Sequence, residues 1–394
     1  MRVALVYEEF RLDRSLARDR VLIAGSLADL GIEVHVYCDP SKRTADARGV
    51  LFHDVSPLPR GPTRLGRALE YGSFAAAATR RLRAERSNYD VVDVAGTTAW
   101  EHDVIRAHAV QRAEQRRWPL RGGRKYRLAR ARATLAPLTQ PRMGLAQVIE
   151  RLQFRAGHFK RVLAVTEGVK RDLEEVHGVD PDVIQVVAYP VETKRFETSE
   201  RALLRERLRL GSDDLVALFV GHDYERKGLG EAISGVAGAD QSINLVVVGD
   251  GDSKRYIKRA AELRIGQRVH FIGSTETPEL CFAAADVFVL PTLEDVWGIS
   301  LIEAMAAGIP VIVSEVAGAA ETIREAGAGL VVDVNSSVGV ADALKIVLGD
   351  RTRAREMGHR GRAAAARFDV AKIGEEVATA YERIVAQRRS RSGP

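Results

Sequence analysis

Two cations, two carboxylates and several strand-end glycines have the types and spacing to do chemistry in this chain. Arg226 and Lys227 close the segment GHDYERKG (residues 221–228), which follows an apolar run at 215–220. A planar Arg fork and a compact Lys charge beside a glycine suit a diphosphate, above all one that leaves with its bonding electrons. Further on, DVFVLPTLEDVWGISLIEAMAAGIPVIV (286–313) reads as an apolar strand ending at Pro291, then a polar loop with Glu294, Asp295 and Gly298. A helical pattern follows from Ile299, closes at Gly308 and leads into a β-branched run after Pro310. Such a unit presents unpaired helix N–H groups to an anion. The backbone of Gly298, Ile299, Ser300 and Leu301 would hold a diphosphate. Glu303 shares a helix face with Ile299 and would accept from a sugar hydroxyl beyond it. Asp295 would stand near the other end of the ligand.

These groups need strand ends to position them, and the sequence supplies them. Runs at 3–7, 34–37, 91–94, 104–107, 162–165 and 184–187 in the first half alternate with helical patterns. Runs at 215–220, 245–248, 269–272, 287–290 and 311–313 repeat the scheme. Alternating β and α units predict parallel, doubly wound sheets, whose ligands sit at the C-terminal strand ends. Gly221 and His222 end one strand, Gly249 the next, and Gly273 and Ser274 a third, where backbone groups would meet a base. The polar stretch from Tyr189 to about 212 is the expected connection between halves. The VGDGD segment (248–252) looks like dinucleotide binding, but its third glycine position holds Lys254. Its D-x-D pair is read as a tight turn, and no metal is expected.

Bulk numbers bound the class. A chain of 394 residues, 46% hydrophobic and 28% charged, suits a soluble protein of two domains. Cys38 and Cys281 allow neither a disulfide framework nor a zinc pattern, which favours a reducing compartment. The opening MRVALVYEEF reads as a first strand, and no run is long enough to span a bilayer. The net charge of +6 is uneven: residues 112–161 carry fourteen Arg or Lys against two acids, leaving the remainder at −6. That segment suits an anionic membrane surface, with Arg116, Arg117 and Arg121 around Trp118, or an anionic acceptor. It serves equally as a solvated helical face. Without regular aromatic interleaving, nucleic acid is not the expected partner.

With seven residues between them, Asp295 and Glu303 resemble the E-x7-E element of retaining glycosyltransferases of family 4, and EAMAAGIPVIV resembles that family's usual continuation. Asp stands for the first Glu, Glu294 offers a second register, and Trp297 stands where Phe is usual. The loop at 221–228 resembles the family's G-R-…-K-G element, with Lys227 in the phosphate position and His222 in place of Arg. VGHDYERKG is most similar to the lipopolysaccharide core glucosyltransferase branch. Gly318-Ala-Ala-Glu321 resembles the family's Gly-rich loop before a helix, a further donor-side element.

The resemblance implies an α/β GT-B architecture, two Rossmann-like domains facing a cleft. Residues 1–188 would form the acceptor-side domain and 189–370 the nucleotide-sugar domain. A final helix at 371–387 would pack back on the first domain, ahead of a disordered tail at 388–394. The implied reaction moves a hexosyl group, from UDP by first choice, to a hydroxyl of a glycan, a lipid-linked or a small-molecule acceptor. No covalent nucleophile is evident, so the acceptor would attack on the leaving group's face. Lys227 and Arg226 would stabilise the diphosphate, Glu303 would hold the ribose and Asp295 the sugar. His108, with His102 as the alternative, would face the donor sugar, and Asp19 is the acceptor-side acid. No cofactor is expected. The implied setting is cytoplasmic, at the inner face of the membrane. A same-fold nucleotide-sugar epimerase and a non-catalytic polyanion-binding module are the rival readings.

Overall fold

Aliphatic and β-branched runs form two sheets with every neighbouring pair of strands parallel. The structure, a computed structural model, describes residues 1–13, 15–59, 61–113, 140–155, 159–198, 200–239 and 242–391. In the first half the strands are β1 (Arg2–Val6), β2 (Glu33–Cys38), β3 (Val50–Asp54), β4 (Val91–Ala95), β5 (Val104–Ala107), β6 (Arg161–Ala164) and β7 (Ile184–Val186). Their order is β3-β2-β1-β4-β5-β6-β7. In the second half β8 (Leu215–Val220), β9 (Ile243–Val248), β10 (Val269–Gly273), β11 (Val287–Leu290), β12 (Val311–Ser314) and β13 (Gly329–Val332) are ordered β10-β9-β8-β11-β12-β13. Each order reverses once, between β1 and β4 and between β8 and β11. Those reversals open the crevices where ligands of doubly wound sheets bind. Central strands such as β9 are buried throughout, which is why INLVVV is apolar but for Asn244 and shows no alternation.

Two strands go beyond the sequence reading. β3 is an edge strand with no fully buried residue, and its apolar part is only the three residues Val50, Leu51 and Phe52. β13 opens on Gly329 and lies at the other sheet's edge. Both are strands because a neighbour's free edge recruits them, a tertiary effect that local pattern does not carry.

The chain divides into two units, Met1–Pro190 with Val370–Pro394, and Val191–Asp369. It therefore passes between them at Pro190/Val191 and at Asp369/Val370. Residues 191–212, read from sequence as a connection, are part of the second unit. Their helix Arg201–Arg207 is fastened by Arg201 and Arg205 to Asp286, at 2.6 and 2.8 Å.

The last helix, Val370–Arg391, belongs to the first unit and packs on helix Ser15–Asp29 and on β4. Ser26 donates to the Val370 carbonyl at 3.1 Å, and the Tyr381 hydroxyl donates to Asp93 on β4. Arg388 donates to the Asp90 carbonyl and pairs with Asp103. The helix thus runs through residues 388–391, which the sequence suggested as a tail, because Arg388 has partners there. Under this helix lies a buried polar group of Tyr7, Asp19, Asp93, Arg106 and Tyr381. Burial pushes the Asp93 carboxyl up to about 6, against the lowering effect of the Tyr381 hydroxyl. Cys38 and Cys281 are free thiols, both buried.

Candidate functional site

The crevice between β8 and β11 gathers most of the residues singled out from sequence. Backbone bonds carry three neighbouring strand ends into their loops: Gly221 N–H donates to Val248 O and Gly249 N–H to Gly273 O, both at 2.9 Å. Gly249 has φ +136° and packs so closely that a Cβ there would lie 2.0 Å from the Gly221 carbonyl oxygen. Tyr224 donates to the Gly249 carbonyl at 2.7 Å. The Gly249–Gly251 turn is therefore a packing element against the 221–224 loop. His222 and Asp250, both exposed, pair across the two loops at 2.5 Å, which lowers the Asp250 pKa. Ser274 is exposed just after β10.

The loops after β8 and β11 are sewn together. Gly228 has φ +78°, and a Cβ there would stand 1.9 Å from the Pro291 carbonyl oxygen. Leu293 N–H and the Thr292 hydroxyl donate to Arg226 O at 2.7 and 2.9 Å. The Arg226 guanidinium donates to the Glu294 carbonyl at 2.9 Å and to Asp223 at 3.3 Å. Arg226 thus braces the two loops, a structural task that the sequence reading did not assign to it. Lys227 Nζ meets the Asp295 carboxylate, with side chains 14% and 11% exposed. Of the two adjacent acids, Asp295 is the partner of Lys227.

Helix Ile299–Ala307 opens at Gly298, three residues after Asp295, with no side-chain cap. Leu301 N–H is spent on the Gly298 carbonyl at 2.9 Å. A helix start without a side-chain cap, beside a Lys, is a ready anion site. Glu303 lies one turn inside and is buried. Gly318 N–H donates to the Asp295 carbonyl at 2.9 Å, so the Gly-rich segment before helix Ala320–Ala326 supports the same loop.

The first unit has its own crevice, between β1 and β4. His108 follows β5; its Nδ1 is 2.9 Å from the Tyr189 hydroxyl and the two rings stack at 5.4 Å. Its Nε2 is buried without a hydrogen-bond partner among the described residues. Burial, aided by Arg20 and Arg106, holds its pKa well below the usual range, so the imidazole is neutral. A Tyr189 hydroxyl that donates to Nδ1 leaves the ring proton on Nε2, and one that accepts leaves it on Nδ1.

Asp19, the candidate acid on the acceptor side, is 2% exposed, and its carboxylate pairs with the equally buried Arg106 at 3.2 Å. Burial raises its pKa despite that partner.

What the sequence reading missed lies at the same crevice. Lys42 Nζ sits 2.5 Å from Glu8 and 2.8 Å from Glu70. Burial lowers the Lys42 pKa, but the bonds to Glu70 and Glu8 outweigh it and leave the value raised. Arg142 lies 3.6 Å from Glu8 and stacks over the Tyr71 ring at 5.0 Å, while Tyr71 donates to Thr97 O at 3.0 Å. This cluster of alternating charges offers donors and acceptors in pairs, the pattern that suits a polyhydroxylated ligand. Within the basic stretch, Arg116, Arg117, Trp118 and Arg121 lie outside the described residues. Among the described residues no group of three or more His, Cys, Asp or Glu is placed to hold a metal ion, and no helix is long and apolar enough to cross a membrane.

Residues 21–195 match the model of Glycosyltransferase Family 4, and residues 200–364 match that of Glycosyl transferases group 1. A D-inositol 3-phosphate glycosyltransferase of Nocardia farcinica is 32% identical over 56% of this chain, which spans about half (52%) of that relative. The enzyme of the same description from Acidothermus cellulolyticus is 29% identical over 93% of this chain and 85% of its own length. The crystal structure of WaaG, a glycosyltransferase involved in lipopolysaccharide biosynthesis, superposes with a TM-score of 0.77 at 23% identity, covering 95% of this chain and 98% of that one. The fold shared with it is GT-B.

Proposed function

Because the chain belongs to the group 1 and family 4 glycosyltransferases, we propose that it transfers a hexosyl group from a nucleotide-diphosphate sugar to a hydroxyl acceptor with retention of configuration. The observation that carries this reading is the Lys227 ammonium beside Asp295, at the strand-order reversal and next to the uncapped start of helix Ile299–Ala307. As the bond from the anomeric carbon to the diphosphate breaks, Lys227 and the first helix N–H groups take up the developing negative charge. Glu303 accepts from the ribose, and Asp295 from the sugar. The acceptor oxygen bonds to the anomeric carbon on the departing face, and its proton passes to the leaving phosphate oxygen. His108, neutral, meets a hydroxyl of the reacting sugar through Nε2, donating in the tautomer that carries its proton there. The Lys42, Glu8, Glu70 and Arg142 cluster is the proposed acceptor subsite. The relatives' names mention inositol phosphate, and a polyol of that kind, a glycan or a glycolipid would suit it.

The test is thermal stabilisation by UDP and by GDP, followed by mass analysis of products from UDP-glucose and GDP-mannose with inositol phosphate, glycan and glycolipid acceptors. One nucleotide should stabilise the protein, and its sugar should appear on an acceptor. Neither stabilisation nor transfer would overturn the reading, and an isomerised nucleotide sugar formed without acceptor would establish the epimerase instead. In the same assay turnover should persist in EDTA, because Lys227 and the helix start already face the diphosphate. Activity lost in EDTA and restored by Mg²⁺ or Mn²⁺ would refute metal independence.

The proposed setting is the inner face of an anionic membrane. Each Lys or Arg of the 112–161 stretch that nears the surface would contribute about 1 kcal/mol, screened by salt. Co-sedimentation with phosphatidylserine vesicles should fall at high salt and on changing Arg116, Arg117 and Arg121 to Ser. Binding indifferent to both, or none at all, rules this docking out.

A further inference from the structure

Both passages of the chain between units lie side by side inside the second unit. Val191 N–H donates to the Phe368 carbonyl at 2.8 Å, and Val191 and Asp369 form an isolated parallel bridge. The Thr193 hydroxyl donates to the Asp369 carboxylate. The turn Thr193–Phe196, just after the first passage, packs against helix Ile299–Ala307, whose start is the proposed diphosphate site. One residue ahead of that start stands Trp297, 7% exposed, its ring edge-on to Phe368 at 5.2 Å and 73°. Its carbonyl accepts from Ala319 N–H at 3.0 Å, which ties its backbone into the Asp295 loop. Its side chain reaches the passages and its main chain belongs to the donor loop. The indole N–H is buried and has no hydrogen-bond partner among the described residues. The ring contact with Phe368 links this side chain to the second passage.

We propose that Trp297 is a positioning residue for transfer: through Phe368 it keeps the donor loop in register with the two chain passages. The inference rests on the donor reading above. On that reading the diphosphate rests on Lys227 and the helix start, whereas transfer also needs Asp295 held against the reacting sugar by the loop that Trp297 ends. A loosened Trp297 contact therefore shows in turnover and leaves nucleotide affinity in place.

The experiment compares Trp297→Leu, Trp297→Phe, Phe368→Ala and the Trp297→Leu/Phe368→Ala double variant. Calorimetry with UDP and GDP gives nucleotide affinity, transfer from UDP-glucose or GDP-mannose gives kcat, and thermal unfolding checks the fold. Trp297→Leu is expected to keep the nucleotide Kd within about twofold and to lose about tenfold or more in kcat. Phe368→Ala, although it lies outside the donor loop, should show the same split. The double variant should lose no more than the worse single one, because both act through one contact. Trp297→Phe keeps a ring against Phe368 and should restore kcat to within about threefold of wild type. Should Trp297→Leu fail to fold, Phe368→Leu makes the same comparison from the other ring. A Kd that rises in step with the kcat loss, an unaffected Phe368→Ala, or losses that multiply in the double variant overturn the coupling and leave the donor reading standing. Wild-type protein that binds neither UDP nor GDP and transfers from neither sugar defeats both.

Discussion

Lys227→Ala is expected to cut kcat/KM for the sugar nucleotide by about 10²–10³-fold, the usual loss when a group that meets developing charge in a closed site is removed. Two effects act in the same direction. The leaving diphosphate loses its point charge, and the Asp295 carboxylate, only 11% exposed, is left without the Lys227 ammonium beside the incoming anion. Nucleotide affinity should therefore fall together with kcat. The fold should survive, because the loops after β8 and β11 are joined mainly by the Arg226 backbone and guanidinium, not by Lys227. Steady-state kinetics with the accepted sugar nucleotide, beside a thermal unfolding curve, decides it. A variant with near-normal kcat/KM removes Lys227 from the diphosphate site. A variant that unfolds early would instead give the Lys227–Asp295 pair a structural role.

That Lys227, Asp295 and the start of helix Ile299–Ala307 lie together was legible in the sequence because the parts are local. Lys227 lies one residue from the glycine that admits the neighbouring Pro291 carbonyl, and Asp295 and Glu303 sit on one continuous strand–loop–helix unit. Short-range chemistry of this kind survives in a linear reading. The first unit's crevice does not, since Glu8, Lys42, Glu70 and Arg142 come from four separate segments that only the sheet order brings together. The partner of Asp19 was hidden for the same reason: Arg106 lies 87 residues away, in β5. A charged residue inside a four-residue strand was the available signal that some buried counter-charge had to exist. His108 does follow a strand, β5, but its neutral state depends on burial and on the nearby Arg20 and Arg106, which the linear order does not show.

Asp295→Asn separates binding from turnover. In the structure the Lys227 ammonium is already neutralised by Asp295, and both side chains are largely out of water. A diphosphate must share or displace that carboxylate, so the acid competes with the ligand for the same cation. Asn keeps the size and an acceptor oxygen but removes the charge. UDP or GDP, which carry no sugar, should therefore bind about three- to tenfold more tightly to the variant, a gain of roughly 1 kcal/mol. With the sugar nucleotide the order reverses. An anionic acceptor holds a sugar hydroxyl more strongly than an amide does, and opposes positive charge building at the anomeric carbon. Turnover should fall by about 10²-fold, with a lower KM accompanying the lower kcat. Calorimetry with the nucleotide alone and kinetics with the sugar nucleotide measure the two signs separately. If UDP and GDP both bind more weakly to Asp295→Asn, the carboxylate holds Lys227 in place for the diphosphate and does not compete with it. If turnover is unchanged while nucleotide binding tightens, Asp295 is a competitor only, and the sugar contact belongs to another residue of the loop.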